Sequence, residues 1–562
     1  MGLAGRGGGE LARTSTDIIA VSNKLKRYWA PRNDKFREWY KLVQMVDQLA
    51  QEKMESFVGP DPRASYNLLL HMLDSDIPHR LPPEDVTVDL ALSASKVEEF
   101  YKIAWGDVYS RYRRTGRQSW LRDLIGYMLA TGWYAVFAMV SQDGSRCIAE
   151  VWNPATVYPA WDDDLSECAH ILDLTASRAQ RLIARNNWSM SMPTNSQKLY
   201  DYWWLDSNNR VFNAIVLDTT LVKPETYEPR FRRIPIFTSP VGGLPDTGIL
   251  SEDSNRWKEE VGQSCIATNE NVYKYLNKWW TFTMQILRDT VQARIKEKSR
   301  GGRKIILPED VFKRGAIFRM TPEEDVSFMS PPAIPIEIRS MQLDMEAMLQ
   351  RGGPSWAMYG NIQQQLTAYV MSQISASANQ IAKPFHQGII DVLTDIDNFW
   401  WEQILNFGYK PYGKSIPKDL PKDIRITADY EIRIPGDLIQ RATTARILDP
   451  DFRLSSVKVM KELFPEIKNH IEEKALVRAD VAERHPIRAI ISQIEAFREE
   501  ARLLEESKDY VGSRLYKKAA DKLESTLELE EQEAPPSRPP ALPARRPETM
   551  PQMGTTPPAG IV

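Results

Sequence analysis

Between Asn271 and Ile295 the apolar residues Val272, Leu276, Trp280, Met284, Leu287, Val291 and Ile295 recur every three or four positions, the period of one helical face. Tyr275, Trp279, Phe282, Ile286 and Ala293 form a second row beside the first. The apolar surface is therefore wider than the roughly 100° stripe a helix needs to face one core. A helix of this kind requires neighbours on more than one side. Lys274, Lys278 and Arg288 leave only about nine uncharged residues in succession where a membrane span needs about 20, so this is not a transmembrane segment. The plain reading is a buried core helix. The reading with functional content assigns Trp279, Trp280 and Phe282 to contacts between copies of the chain, because aromatic side chains carry the most area to bury.

The residues that follow favour the second reading. Arg294, Lys296, Lys298 and Arg300 form a basic run expected to close the helix, and Gly301-Gly302 comes next. Arg303–Leu307, Ala316–Met320 and Val326–Met329 read as three short strands broken by Pro308, Gly315 and Pro322. A second helix is expected from Pro335 to Arg351, with proline where the missing N–H is harmless, and it stops at Gly352-Gly353-Pro354. A loop carrying Ser355, Trp356, Ala357, Met358, Tyr359 and Gly360 separates it from a long helical pattern starting near Asn361. Gly352, Gly353 and Gly360 are expected to act as backbone hinges, with Trp356, Met358 and Tyr359 presented by the loop. The alternative is an ordinary connection whose aromatics dock into the core. Arg294, Lys296, Lys298, Arg300, Arg303 and Lys304 are candidates for contacts with nucleic-acid phosphates; the alternative is a solvated helix end with cations placed favourably at its C-terminus.

The remaining chain reads as α+β and mainly α. Residues 1–16 read as disordered. Helical patterns follow over Asp17–Tyr28, Asp34–Phe57 and Asp61–Asp74, extended segments over Ile77–Leu81 and Val86–Leu90, and helices near Ser93–Arg114 and Ser119–Ala130. The run Tyr28, Trp29, Arg32, Lys35, Arg37, Trp39, Tyr40, Lys41 reads as an amphipathic helix with a solvated basic side, the alternative being a nucleic-acid face. Tyr134–Val140 and Cys147–Trp152 form a hairpin around Asp143-Gly144, and Leu199–Leu205 and Val211–Leu217 a second one, with a short helix over Thr175–Asn186 between them. Pro384 should kink the long helix. Ile424–Ile434 alternates like a strand. The pattern from Asp437 to Glu531 is helical, with Leu504, Val511, Leu515, Ala519, Leu523 and Leu527 as one apolar side, and the proline-dense stretch after Ala534 reads as disordered.

With 42% hydrophobic residues the chain can build substantial cores, while a net charge of −3 makes any basic surface local. Cys147, Cys168 and Cys265 lack CxxC spacing and read as buried thiols of a reducing compartment. No hydrophobic signal core precedes Glu10. There is no GxxxxGK[ST] loop, HExxH pair or GxSxG elbow. Asp162-Asp163-Asp164 lacks the spacing of a calcium loop and reads as a solvated turn, and the six histidines, including His470 and His485, have no ligand spacing.

Helix, short strand-bearing excursion, helix, glycine-bounded loop and long helix, in that order, resemble the portal proteins of tailed double-stranded DNA bacteriophages. Two phrases add to the likeness: Trp152 to Asp162 resembles the proline-punctuated strand and loop of that family's wing, and Ile234-Pro235-Ile236-Phe237 its strand before the stem. The resemblance covers about residues 90–530. It implies a wing over 17–250, a first stem helix over 251–300, a clip over 301–334, a second stem helix over 335–351 and a tunnel loop over 352–361. A long helix with the wing return over 362–436, a helical crown over 437–531 and a tail over 532–562 complete it. The same resemblance implies a dodecamer at one capsid vertex through which double-stranded DNA is packaged and ejected without sequence specificity. Its implied partners are the large terminase subunit, a head–tail adaptor, and the major capsid and scaffolding proteins. No cofactor, membrane or catalytic activity is implied; the location is the virion, and the host cytoplasm during assembly. The competing readings are a metal-dependent nuclease built around Asp162–Asp164, and another ring-forming capsid or tail component.

Overall fold

Strand-forming residues between Trp133 and Pro240 form two antiparallel sheets. The computed structural model describes residues 13–47, 49, 56–74, 79–81, 91–245, 256–291, 295–299, 301, 304, 319–328, 336–359, 368–414, 426–429, 432, 476–477, 486–506 and 509–533. Of the expected tails, residues 1–12 and 534–562 lie outside the described residues, as do Val86–Leu90, Gly360, His470 and His485, whereas residues 13–16, expected to be disordered, cap and open the first helix and residues 532–533 end the last one. The chain divides into two units, Met1–Gln440 and Arg441–Val562.

The first unit runs α1 (Ser15–Tyr28), α2 (Ala30–Val43), α3 (Asp61–Leu73), β1 (His79–Leu81), α4 (Ala91–Arg113) and α5 (Trp120–Thr131). There follow β2 (Trp133–Val140), β3 (Cys147–Val151), β4 (Val157–Trp161), β5 (Leu165–Leu174), α6 (Ala176–Asn186), β6 (Gln197–Leu205), β7 (Val211–Leu217), β8 (Thr220–Tyr227) and β9 (Ile236–Pro240). The last part holds α7 (Arg256–Glu260), α8 (Glu270–Val291), β10 (Ile295–Lys298), β11 (Asp325–Phe328), α9 (Ile336–Gly352), α10 (Ala368–Phe407) and β12 (Thr427–Asp429). Its start is fixed locally by a capping box, in which Thr14 and Asp17 satisfy each other's backbone N–H groups at the head of α1. Ser119 caps α5, and Gly132 ends it at φ 68°, where a Cβ would lie 2.3 Å from the Gln263 nitrogen.

The three-stranded sheet has the order β3-β2-β9 and the five-stranded sheet β4-β5-β6-β7-β8. The register of the larger sheet, with Cys168 opposite Trp203 and Trp203 opposite Asn213, divides it into two faces. On one face Leu172, Leu199 and Leu217 stand in line, and α6 packs there through Ala179 and Ile183. On the other, Arg13 donates to the Tyr202 hydroxyl at 3.1 Å and lies over the Trp204 ring, which ties down the chain entering α1. The main core is aromatic. Trp105, Trp120 and Trp400 bring α4, α5 and α10 together, and Trp105 Nε1 donates to Asp397 Oδ1 at 2.8 Å.

Arg32 corrects the expectation of a solvated basic side for α2: it is 1% exposed, although Arg37 and Lys41 do face water. Its Nη2 donates to the Pro154 and Val157 carbonyls, and its guanidinium lies against the Trp29 and Trp133 rings. Asn33 adds a bond to the Ala155 carbonyl, so α2 holds the Trp152–Asp162 phrase through its backbone. Burial pushes the guanidinium down to about 9, still above neutral pH. Carbonyl dipoles and ring faces thus stabilise a buried cation that is not ion-paired to any described carboxylate.

Most expected elements are present to within a few residues. The helix expected over Asp34–Phe57 is shorter and earlier, because Pro31 sits in its first turn instead of breaking it. Strands β5 and β8 were not anticipated. β5 lies between two other strands and buries residues of both faces, which removes the alternation; β8 is an edge strand, the one place where Pro224 is tolerated. Cys147, Cys168 and Cys265 are free and buried, and burial raises each thiol.

In the second unit α11 (Pro486–Glu506) packs on α12 (Tyr510–Glu533). The expected apolar side is packed only in part: Leu504, Ala519 and Leu523 are half-buried and Val511 and Leu515 exposed, whereas the buried positions are Ile494, Ala501, Ser513 and Ala520. Small residues let two helices approach closely, so size of apolar side chain misleads there.

Candidate functional site

The first half of α8 is built into its own core. Tyr273 and Leu276 are buried on one face, and Thr281, fully buried, accepts from the Phe57 N–H at 3.0 Å. Asn277 accepts from the Gly59 N–H at 2.8 Å, and the Phe57 ring meets Trp280 at 5.7 Å. Residues 56–59 therefore strap the helix through backbone groups. At its head Glu270 receives the Trp39 indole N–H at 2.8 Å and ion-pairs with Lys274 and Lys35. Burial alone would raise the Glu270 carboxyl, but these hydrogen bonds and cations outweigh it and hold the group below its ordinary value.

Among the described residues the opposite face has no such strap: Tyr275 and Phe282, seven residues and about two turns apart, are 63% and 52% exposed, while Met284 and Leu287, which continue the row of Leu276 and Trp280, are exposed in the second half of the helix. Trp279 and Trp280 are half-buried against the core and meet edge to face at 5.0 Å. Of the three proposed contact residues, then, Phe282 is offered outward, while Trp279 and Trp280 are shared between the core and the surface. α9, which packs beside α8, buries Met345 and Leu349 and exposes Met341, Leu343 and Met348.

Between them β10 and β11 pair antiparallel, Ile295 opposite Phe328 and Lys298 opposite Asp325. This corrects two expectations. Ile295 belongs to a strand and not to the end of the first helix, and Lys296 and Lys298 project from that strand, so the reading of cations placed at a helix C-terminus does not apply to them. The physical reason is that Ile295 completes a hydrogen-bonded pair, which the helical period cannot register. Lys296, Lys298 and Lys304 are exposed; Arg294, Arg300 and Arg303 lie outside the described residues, as do most of the strands expected over 303–307 and 316–320.

Residues Trp356–Tyr359 form one turn of 3-10 helix. Met358 is half-buried against the core, and the Tyr359 hydroxyl lies 3.0 Å from Ser65 Oγ on α3, with burial holding its ionisation above the ordinary value. Within one chain these two side chains dock; nothing is described of the Trp356 side chain. Gly352 and Gly353 are not hinges by conformation, since neither has a positive φ. A Cβ on Gly352 would stand 2.2 Å from Asn269 Oδ1, and Asn269 is itself buried and donates to the Leu349 carbonyl at 2.9 Å. The glycine is needed for this close approach. Asn269 was missed in the sequence; the paired glycines were its signal.

Among the described residues no group of three His, Cys, Asp or Glu could hold a metal ion, and no helix is long and apolar enough to cross a membrane. No family model and no curated protein matches the chain. Among solved structures, it is similar to one titled "Neck of native GTA particle computed with C12 symmetry", at 12% identity and a TM-score of 0.36, over 72% of this chain and 90% of that one. It is also similar to "Neck of empty GTA particle computed with C6 symmetry", at 14% identity and a TM-score of 0.37, with the same coverage. The likeness is one of coarse arrangement.

Proposed function

We propose that this chain is the subunit of a portal-type ring, in which copies stand side by side around a channel for double-stranded DNA. The observation that carries the reading is the exposed apolar face of α8, with Tyr275 and Phe282 outward on a helix whose other face is locked to its own core. An exposed apolar face of this size on a rigid helix is suited to a like helix of the next subunit. In this reading α8 and α9 are the stem, β10 and β11 belong to the clip, Trp356–Tyr359 to the tunnel loop, and α11 with α12 to the crown. The two sheets form the wing.

The chain acts as a wall and has no catalytic step of its own. A large terminase subunit drives DNA through, docked with a head–tail adaptor at the clip, and the ring number is twelve. Lys296, Lys298 and Lys304 give the clip a modest attraction for phosphates without reading bases. The experiment is native mass measurement with imaging of the purified protein. A closed ring with a central opening is the expected result; a monomer at micromolar concentration overturns the reading.

A further inference from the structure

The five-stranded sheet bears an arginine-striped helix near one end and an acidic turn at the other. At the end where β5 finishes, α6 contains no acidic residue, and Arg178, Arg181 and Arg185 follow one another at steps of three and four, all exposed. Ala179 and Ile183 hold the helix to the sheet with Leu174, Leu199 and Leu217, so the arginine stripe is mounted on a fixed support. Arg181 bonds only back to Ser177 of its own helix, and no ion pair joins any of the three to a described residue.

At the end where β5 begins, the turn from β4 presents Trp161, 39% exposed, followed by Asp162, Asp163 and Asp164. Asp164 Oδ1 accepts from the Leu165 N–H at 2.7 Å, and the Asp162 N–H closes the turn on the Asp164 carbonyl at 3.0 Å. No described cation is ion-paired with these carboxylates. β5 has ten residues, about 33 Å of strand. A hydrogen-bonded sheet of that length keeps the two patches apart within one chain.

We propose that the arginine face of α6 in one copy docks on the Trp161–Asp164 turn of the next, guanidinium on carboxylate and against the indole face. Two different, complementary patches at opposite ends of one rigid body make a head-to-tail contact, the kind that closes rings. Arginine suits it, since it binds carboxylates in bidentate fashion and stacks on indoles. A nucleic-acid partner would use the basic end alone, leaving the three carboxylates of the Trp161–Asp164 turn without a role. The inference rests on the ring reading given above and names a wing contact within that ring.

Charge reversal tests it on the full chain by native mass measurement, with circular dichroism and thermal melting as folding controls. One variant carries Arg178→Glu, Arg181→Glu and Arg185→Glu; the other carries Asp162→Lys, Asp163→Lys and Asp164→Lys. All six positions are exposed, so both variants should melt like the wild type yet assemble about 10²-fold more weakly. Mixed in equal amounts they should assemble again, with the two chains alternating and an even number of subunits. The chain carrying all six changes should assemble alone. Wild-type rings with either triple variant still assembling normally, or a mixture that fails to recover, overturns this contact and leaves the ring reading standing. Lost DNA retention with unchanged assembly overturns it in favour of nucleic acid. A monomeric wild type overturns both.

Discussion

Phe282→Glu separates a stem face from an ordinary surface helix. In the single chain the Phe282 ring is 52% exposed, so little of its burial is lost when it is replaced, and melting of the dissociated subunit should hardly change. Full burial of such a side chain is worth about 1.5–3 kcal/mol, so covering the exposed half in a ring contributes about 1–1.5 kcal/mol per contact. A carboxylate placed there without a partner adds a desolvation cost of a few kcal/mol. Together, about 3–5 kcal/mol per contact weakens each association by about 10² to nearly 10⁴, since 1.4 kcal/mol is a factor of ten. Leu276→Glu is the contrast: Leu276 is 5% exposed on the locked face, and its replacement should unfold the subunit itself. Light scattering and native mass measurement read assembly, and thermal melting reads the subunit. Rings of normal mass from Phe282→Glu would refute the interface, and a subunit that unfolds with it would mean that the ring is needed by its own core.

Gly352→Ala should destabilise α9 against the start of α8. Helix propensity favours alanine by up to about 1 kcal/mol, but moving Asn269 from its Leu349 carbonyl costs about 1–3 kcal/mol, so melting should fall, and a rise would show that the close approach is unimportant. Glu270 should make the base of α8 acid-sensitive. Its folded ionisation lies below the ordinary value, so its stabilisation is fully present above about pH 4.5 and is lost as pH falls through the folded value. Glu270→Gln should therefore melt below the wild type at pH 6, with the gap closing towards pH 3; a gap constant with pH would assign it to packing.

Helices were legible where one face is buried. Asp61–Leu73 and Ala91–Arg113 match their periodic patterns closely because core and water lie on opposite sides of each. Where that condition fails, so does the pattern. β5 has neighbours on both edges and packing on both faces, and α12 meets α11 through Ser513 and Ala520, which no hydrophobic count selects. Arg32 is a further case: nothing in its neighbours distinguishes it from the exposed Arg37 in the same helix, and only the carbonyls of Pro154 and Val157, more than a hundred residues distant, decide its burial.

The candidate site was legible in outline and misread in cause. The width of the apolar surface on α8 could be counted from the residues, but which part is covered depends on Phe57 and Gly59, whose backbone N–H groups reach Thr281 and Asn277. Once that strap is laid on one side, Trp280 turns inward with it and Tyr275 and Phe282 are left outward. The paired glycines at 352 and 353 were correctly seen as special, yet their role is to admit Asn269, the residue just before the start of α8, and not to bend. A loop held in this way is fixed at its base: Gly352 seats α9 on Asn269, Met358 leans on the core and Tyr359 meets Ser65. In the proposed ring, a loop anchored at these three points would keep a constant bore at its root, so contact with passing DNA would fall to the exposed edge of Tyr359, 41% accessible in the single chain.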